Sequence, residues 1–593
     1  MRRYITLAAV LLACAAASAQ NLNPTVQVTN DYEGKLMEVE KQKVGMAVPD
    51  SLLKFDWNFN YSVFDNPYKG AYEFSPYRIE MKPEATVRDN GRFYLRAGAG
   101  YSLHPEGQVV FTPDIKGRFG LSLYDDFKGY FGNYHTLSVV PDGGGSASSA
   151  IGRDGDYSGN EISNRAGTTL RFDAPRTVFT LDAGMDLLRT KEAVFEGNEM
   201  LGGSAALRAR SVGESDFLYD ASVSWRGLGN KVLPPKISSA NATAYREHDA
   251  GLEARFIYRL ADRHSIRFEP SYRHVIFTED TGAFTGTAIA DVVDIVPSYV
   301  FSDAGFSFQA GIRFSGVWRD SKAEGEYNVA DYDGRKIFPD LRVYYEAVPD
   351  KLVLTAKVTG GQRFNTYRSY LMDNHHLSML ASSSYPYRIG DATVNALDAG
   401  IGISGRVRSI FQYDAQAGFT RSLNAPMDAV FILPDSYDGH SSAGILPVIT
   451  MADYKLVYAD LNGTLVCDRL DASANLRVQK SMFEEGMDNG AFTLPLFTGS
   501  AELVYNWNKR VFAGLSAFWA TGREGSFTRL NPDTVVKCHL PGWVDLGVNA
   551  KFRVNNHFSL WAEGRNLLNQ TVMRNFLISE KGPYFTAGVC LNF

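Results

Sequence analysis

From about residue 92 to its end, this chain alternates apolar and polar residues in run after run, each bounded by turn-forming residues. The last ten residues do so without a fault: Phe585, Ala587, Val589, Leu591 and Phe593 fall on one face, and Tyr584, Thr586, Gly588, Cys590 and Asn592 on the other. Successive side chains of a strand point to opposite faces, so such a run makes one face of a sheet greasy and leaves the other small or polar. That suits a wall with hydrocarbon outside and water or packed polar groups inside. Leu252, Ala254, Phe256, Tyr258 and Leu260 oppose Glu253, Arg255 and Arg259 in the same way, and Phe306, Phe308, Ala310, Ile312 and Phe314 oppose Ser307, Gln309, Gly311 and Arg313. One run of this kind is a weak signal; many in succession predict an all-β chain, a transmembrane antiparallel up-and-down β-barrel.

The turns give the strand number. Ten short ones are expected near Lys116-Gly117, Pro175-Arg176, Gly213-Glu214, Asp262-Arg263, Asp303-Ala304, Pro349-Asp350, Arg408-Ser409, Asp468-Arg469, Lys509-Arg510 and Asn555-Asn556. They separate eleven long hairpins, which makes about 22 strands, in a range of roughly 18 to 22, with both chain ends on the periplasmic side. Longer links, from Pro141 to Glu161, Asn365 to Asp391 and Pro426 to Ser442, are expected as extracellular loops.

Composition excludes several alternatives. Beyond the N-terminus no apolar run approaches the ~20 residues of a spanning helix, while a mean hydropathy of -0.19 is what alternation produces. A net charge of -6 gives no footprint for nucleic acid. The 31 Tyr and 37 Phe suit aromatic belts at a membrane interface, with Tyr258, Tyr345, Trp507 and Trp519 on the apolar phase near strand ends. Cys467, Cys538 and Cys590 are widely spaced, without a C-x-x-C pair, so neither a zinc site nor a disulfide framework is indicated.

At the N-terminus, basic Met1-Arg2-Arg3, apolar Ile5 to Ala13 and small Ala17-Ser18-Ala19 before Gln20 read as a secretory signal over residues 1–19. Leu11-Leu12-Ala13-Cys14 approximates a lipidation site, although Leu12 is bulky for one. Residues 20–91 are broken by Pro24, Pro49, Pro67, Pro76 and Pro83 and are expected to be an extended periplasmic or lumen-entering segment, ahead of the barrel at 92–593.

Near the C-terminus, Glu563-Gly564-Arg565-Asn566-Leu567-Leu568-Asn569, a short loop, and then Gly588, Leu591 and terminal Phe593 resemble the last hairpin of TonB-dependent outer-membrane receptors. Val28-Thr29-Asn30-Asp31-Tyr32, Phe55 to Ser62, Glu73-Phe74, Tyr94 to Gly100 and Asn365-Thr366-Tyr367-Arg368 look like a plugless Bacteroidota group within that superfamily. The resemblance implies the outer membrane and a C-terminal strand read by the barrel-assembly machinery through Gly588, Leu591 and Phe593. Receptors of that type carry a globular plug before the barrel, and the 70-odd residues after Gln20 are too few for one. Thr25 to Thr29 only superficially resembles an energy-coupling box.

The candidate functional residues are the charged groups on the inward phase: Glu253, Arg255, Arg259, Arg267, Glu269, Arg273, Arg313, Arg342, Glu346, Glu563 and Arg565. Mixed signs favour cross-strand pairing in a filled or hydrated lumen over a single-sign filter. His375 and His376, with Asp373 and Ser382 to Ser384, supply a base and nucleophiles but no fixed orienting partner, so catalysis is not expected. Asp154-Gly155-Asp156 with Asn160 and Glu161, and Asp331 to Gly334, lack EF-hand spacing; no metal or cofactor is expected. The functional expectation is a passive or partner-gated transport conduit. The alternative is a structural or assembly subunit that docks other envelope proteins and transports nothing.

Overall fold

The computed structural model describes residues 92–593 apart from 116, 142–147, 192–196, 214, 234–242, 281–284, 325–331, 350, 378–391, 409, 433–444, 485–492 and 530–533. The signal segment, residues 20–91, Asp331 and Ser382 to Ser384 lie outside the described residues.

The alternating runs are strands. In chain order the first group is β1 (Phe93–Tyr101), β2 (Glu106–Phe111), β3 (Phe119–Pro141), β4 (Ser148–Asp173), β5 (Thr177–Lys191), β6 (Gly197–Ser211), β7 (Phe217–Leu233) and β8 (Thr243–Ala261). Next come β9 (His264–Asp280), β10 (Thr285–Asp303), β11 (Phe306–Glu324), β12 (Tyr332–Val348), β13 (Leu352–Phe364), a short helix α1 (Tyr367–Asp373), β14 (Ala392–Val407), β15 (Phe411–Ile432) and β16 (Ile445–Val466). The chain ends with β17 (Leu470–Phe483), β18 (Phe497–Trp507), β19 (Val511–Ala520), β20 (Arg523–Arg529), β21 (Thr534–Leu540), β22 (Trp543–Arg553), β23 (Phe558–Arg565) and β24 (Tyr584–Asn592).

Each strand from β1 to β19 pairs antiparallel with the next, β19 then pairs directly with β22, and β24 returns to β1 from Tyr94↔Asn592 to Tyr101↔Phe585. The ring is therefore closed with 22 strands, and β20 and β21 stand outside it. Closure pairs every ladder and removes the sheet edge. At the seam Gly98 lies opposite Gly588, where an added Cβ would sit 1.9 Å from the Ala97 carbonyl oxygen. Only glycine allows the first and last strands to approach this closely.

All ten expected short turns fall between consecutive ring strands and gather at one end, together with the start of β1 and the end of β24. Between β18 and β19, Asn508 and Lys509 both take positive φ (51° and 57°), as a tight two-residue hairpin turn requires. From this end upward the outer phase is apolar and exposed, as at Phe179, Leu181, Leu207, Val223, Leu252, Tyr258, Phe268 and Phe314. A soluble protein would bury these residues.

The wall is uneven in height. β1, β2, β22, β23 and β24 have 6 to 11 residues, whereas β3 has 23, β4 has 26 and β15 and β16 have 22 each. A hydrocarbon core takes about 9–11 tilted residues per strand, so the tall strands project well past the apolar belt at the long-loop end. Two expected loops are corrected here. Pro141 is still in β3 and Ser148 to Glu161 are strand, and Pro426 to Ile432 belong to β15. Their glycine- and aspartate-rich sequence hides the pairing because, above the belt, neither face needs to be greasy.

Candidate lumen constriction and mouth

A ring of 22 strands spaced about 4.8 Å apart and tilted about 40° is roughly 40 Å across between backbones. In this structure the link between β13 and β14 turns into that space. Thr366 caps α1, its side chain accepting from the Ser369 backbone N–H at 3.1 Å. The next two N–H groups, of Tyr367 and Arg368, donate to the Glu247 carboxylate at 2.5 and 3.3 Å. Three of the four donors that every helix leaves open at its start thus find partners, one of them from its own cap and two from the wall. Seven residues do not hold a helix in water unaided, so the wall makes this one.

The clamp reaches across the ring. Tyr367 stacks on Tyr245 of β8 at 4.7 Å and its hydroxyl accepts from Asn230 Nδ2 of β7 at 2.6 Å. Burial raises the pKa of the Tyr367 hydroxyl, which stays a neutral hydrogen-bonding group. Arg368 pairs with Asp186 of β5, which also accepts from Arg165 Nε of β4 at 3.0 Å. Asn198 Nδ2 of β6 holds the His375 and Leu377 carbonyls, each at 3.1 Å. Tyr367, Tyr370, Leu371 and Leu377 complete an apolar cluster with Leu188, Met200, Leu228, Val232, Tyr245 and Phe277. Complete burial of one such side chain stabilises by about 1.5–3 kcal/mol, so the packing outweighs any single polar contact here.

On its far side the same link touches β15 and the β23–β24 connection. Asn575 Nδ2 donates to the Asp373 carbonyl and to Asp428, both at 3.2 Å, and Asn374 approaches Asp428 at 3.5 Å. Lys581 pairs with Glu161 of β4 at 3.0 Å, with His375 Nδ1 3.9 Å from the same carboxylate.

Above the helix link lies a second feature. β20 and β21 form a hairpin in the β19–β22 connection, β20 pairing in parallel with the end of β15 and β21 with the start of β4. β4 and β15 stand on opposite sides of a 22-strand ring, so β4, β21, β20 and β15 together bridge the mouth. Leu137, Val430, Phe527, Cys538, Leu540, Met573, Phe576 and Leu577 pack at this bridge. Burial pushes the Cys538 thiol up to about 12, so it is a packing group and not a nucleophile. Arg523 Nη2 donates to the Met573 and Arg574 carbonyls at 3.3 and 3.0 Å, and Trp543 Nε1 to Met573 at 3.1 Å.

Most of the charged residues singled out in the sequence have polar partners, across strands for Arg255, Arg273 and Arg267, and two residues along the same strand for Arg342 and Arg565. Arg255 Nε donates to Glu269 at 2.6 Å, Arg273 Nε to Asp249 at 3.3 Å, Arg267 to Gln309 at 3.1 Å, Arg342 to Asp340 at 2.9 Å and Arg565 to Glu563 at 2.6 Å. Glu563 also meets Arg96 at 3.4 Å. Arg313 lies beside Gly361, and Glu346 sits against the Gly305 turn. Glu253 and Arg259 are exposed and follow the phase of Glu247 along β8. These residues are spread around the ring and do not converge on one centre.

Among the described residues His375 lies 3.9 Å from Glu161 and His376 stands edge-on to Tyr134, while the serines that follow them in sequence, Ser382 to Ser384, lie outside the described residues. Asp156 is held by His135 at 2.7 Å and by Arg153 at 2.8 Å, and Asp333 by Arg335 at 2.8 Å. Among the described residues no group of three or more His, Cys, Asp or Glu is placed to hold a metal. Sequence reasoning missed Asp186, Asn198, Asn230 and Glu247, which hold the inward link. On phase alone they look like any other polar wall position. The string Asn365 to Arg368, quoted above only for likeness, contains the helix cap, the one local signal available.

No protein-family model and no curated protein matches this sequence. Solved structures do match by shape. The ferric-catecholate import receptor Fiu from E. coli K12, in its closed form, aligns with a TM-score of 0.61 and 9% identity, over 85% of this chain and 82% of that one. The FrpB iron transporter from Neisseria meningitidis gives 0.61 and 12% over 86% and 82%, and the copper transporter OprC 0.61 and 13% over 85% and 80%. At such identities the likeness is one of fold: this closed 22-strand barrel resembles those of TonB-dependent receptors.

Proposed function

We propose that the chain is a transport conduit of the outer membrane, passive or partner-gated, whose passage at the long-loop end is set by its own β13–β14 link and the bridge above it. The observation that carries this reading is the link with α1 and the residues just after it, clamped to β5, β6, β7 and β8 by Asp186, Asn198, Asn230 and Glu247 although it arises between β13 and β14. A greasy exterior on a closed ring supports the membrane placement. The shape likeness to iron and copper transporters supports transport. The short-turn end, with both chain ends, faces the periplasm in this reading, and the strand ending at Gly588, Leu591 and Phe593 is what the assembly machinery grasps.

The test is conductance of the full chain in planar bilayers, beside a variant in which residues 366–377 are replaced by a short Gly-Ser linker. The conduit reading expects rare or small steps for the natural chain and large, stable steps for the variant. Silence from both, with the barrel folded, would instead favour an assembly subunit that only docks other envelope proteins.

A further inference from the structure

The outer face of β5 to β8 carries a feature that conduction does not use. Along its apolar phase Leu187, Leu201, Leu207, Val223 and Trp225 are exposed, and toward the long-loop end the phase changes abruptly to charge. Arg189 lies opposite Glu199, and Glu199 opposite Lys231, while Arg246 lies opposite Gly229; Lys191 follows two residues beyond Arg189. All four cations are exposed. Arg189 meets Glu199 at 3.2 Å, but Lys191, Lys231 and Arg246 make no ion pair among the described residues. Among the described residues the acids on this face are Glu199, Asp280 at the end of β9, and Asp291, which already accepts from Tyr272 at 2.7 Å and lies 2.8 Å from His274 Nδ1.

Between the unpaired cations and the leucines the wall is bare. Gly229 is exposed, and a Cβ there would meet nothing nearer than the Leu201 carbonyl oxygen at 4.0 Å. The Trp225 ring lies over Gly227, with His248 beside it at 6.1 Å. Unpaired cations, an open glycine and a tryptophan thus meet where the apolar belt ends. A soluble anion has no use for the leucines, and a neutral lipid none for the cations. A phosphorylated amphiphile satisfies both.

We propose that this face binds the phosphorylated headgroup of a membrane lipid, with Lys231 and Arg246 on the phosphate, Lys191 at its margin, and the acyl chains along Leu201, Leu207 and Val223. The proposal rests on the membrane placement given above and is independent of conduction. Each surface cation near anionic headgroups is worth about fivefold in affinity, so removing two weakens retention roughly thirtyfold.

The experiment uses the full chain in a non-ionic detergent, titrated with bisphosphorylated lipid A or its dephosphorylated counterpart and read by native mass spectrometry. The natural chain is expected to retain the bisphosphorylated lipid, and the variant Lys231→Gln/Arg246→Gln to bind it roughly thirtyfold more weakly, with folding checked by heat-modifiable mobility. Lys231→Arg/Arg246→Lys keeps the charges and should keep the binding, as should Arg408→Gln/Arg510→Gln at the short-turn end. Undiminished binding by the first variant, an equal loss in the short-turn variant, or equal retention of the dephosphorylated lipid would overturn the proposal. Flotation with lipid vesicles tests the membrane placement separately.

Discussion

The belt near the short turns and the mouth at the other end are built on different principles. In the belt each strand is specified by its own residues: Phe179, Leu181, Leu207 and Val223 face outward because every second residue is apolar, and a slip of one residue would turn them all inward. At the mouth no such rule operates. α1 exists because Glu247, Asn230 and Asp186 of three other strands meet it and Asn198 of a fourth holds the residues just after it, and β20 and β21 are held by the far ends of β15 and β4. Local patterning makes the cylinder, and contacts distant in sequence decide what stands in it. The belt should therefore respond to single changes as a whole barrel, whereas the mouth should respond piece by piece.

Three experiments would break or sharpen that contrast. The largest effect is expected at the seam: Gly588→Val forces a side chain toward the Ala97 carbonyl oxygen, 1.9 Å from an ideal Cβ, and should abolish closure. Heat-modifiable electrophoretic mobility, present in the natural chain and absent in the variant, is the measurement; a closed, compact variant would show that the seam tolerates displacement. Next, Leu207→Arg places a charge on the exposed apolar phase of β6 and should cost the whole barrel about 2–4 kcal/mol if it lies near the bilayer midplane. Denaturant titration in lipid vesicles reads this directly, and a loss near zero would mean that this face does not meet hydrocarbon. The smallest effect belongs to the mouth: Glu247→Ala strips two helix N–H groups of their acceptor, a local cost of about 1–3 kcal/mol. Amide exchange should quicken at residues 366–377 while the ring strands stay protected. Equal loosening of β5 to β8 would show that the link also holds the wall together.

Much of the ring was legible before any coordinates. Asp262-Arg263 and Lys509-Arg510 mark reversals that the structure places between β8 and β9 and between β18 and β19, and counting ten such turns leads to 22 strands. The phase was legible too, since Leu252 and Tyr258 are exposed where alternation puts them outside. What misled was the stretch above the belt. Ser148 to Glu161 reads as loop from its glycines and aspartates, yet it pairs with β3 along its length, broken by one irregularity near Thr136. The inward residues showed a similar limit. Arg255 and Glu269 were visible as charges, but nothing local distinguishes them from Glu247, whose burial beneath α1 gives it a different task.

The sequence by itself determined that the described chain closes as a cylinder with a greasy exterior, because a period of two, repeated between tight turns, leaves an antiparallel sheet only one economical way to hide its edges from hydrocarbon. Only the tertiary structure decided what narrows that cylinder. Backbone donors at the start of a seven-residue helix must find acceptors, and the ones they find in Glu247 lie about 120 residues away, as Tyr367 N and its partner show. A pattern read along the chain carries no information about which of many equivalent wall carboxylates will be met from across the lumen.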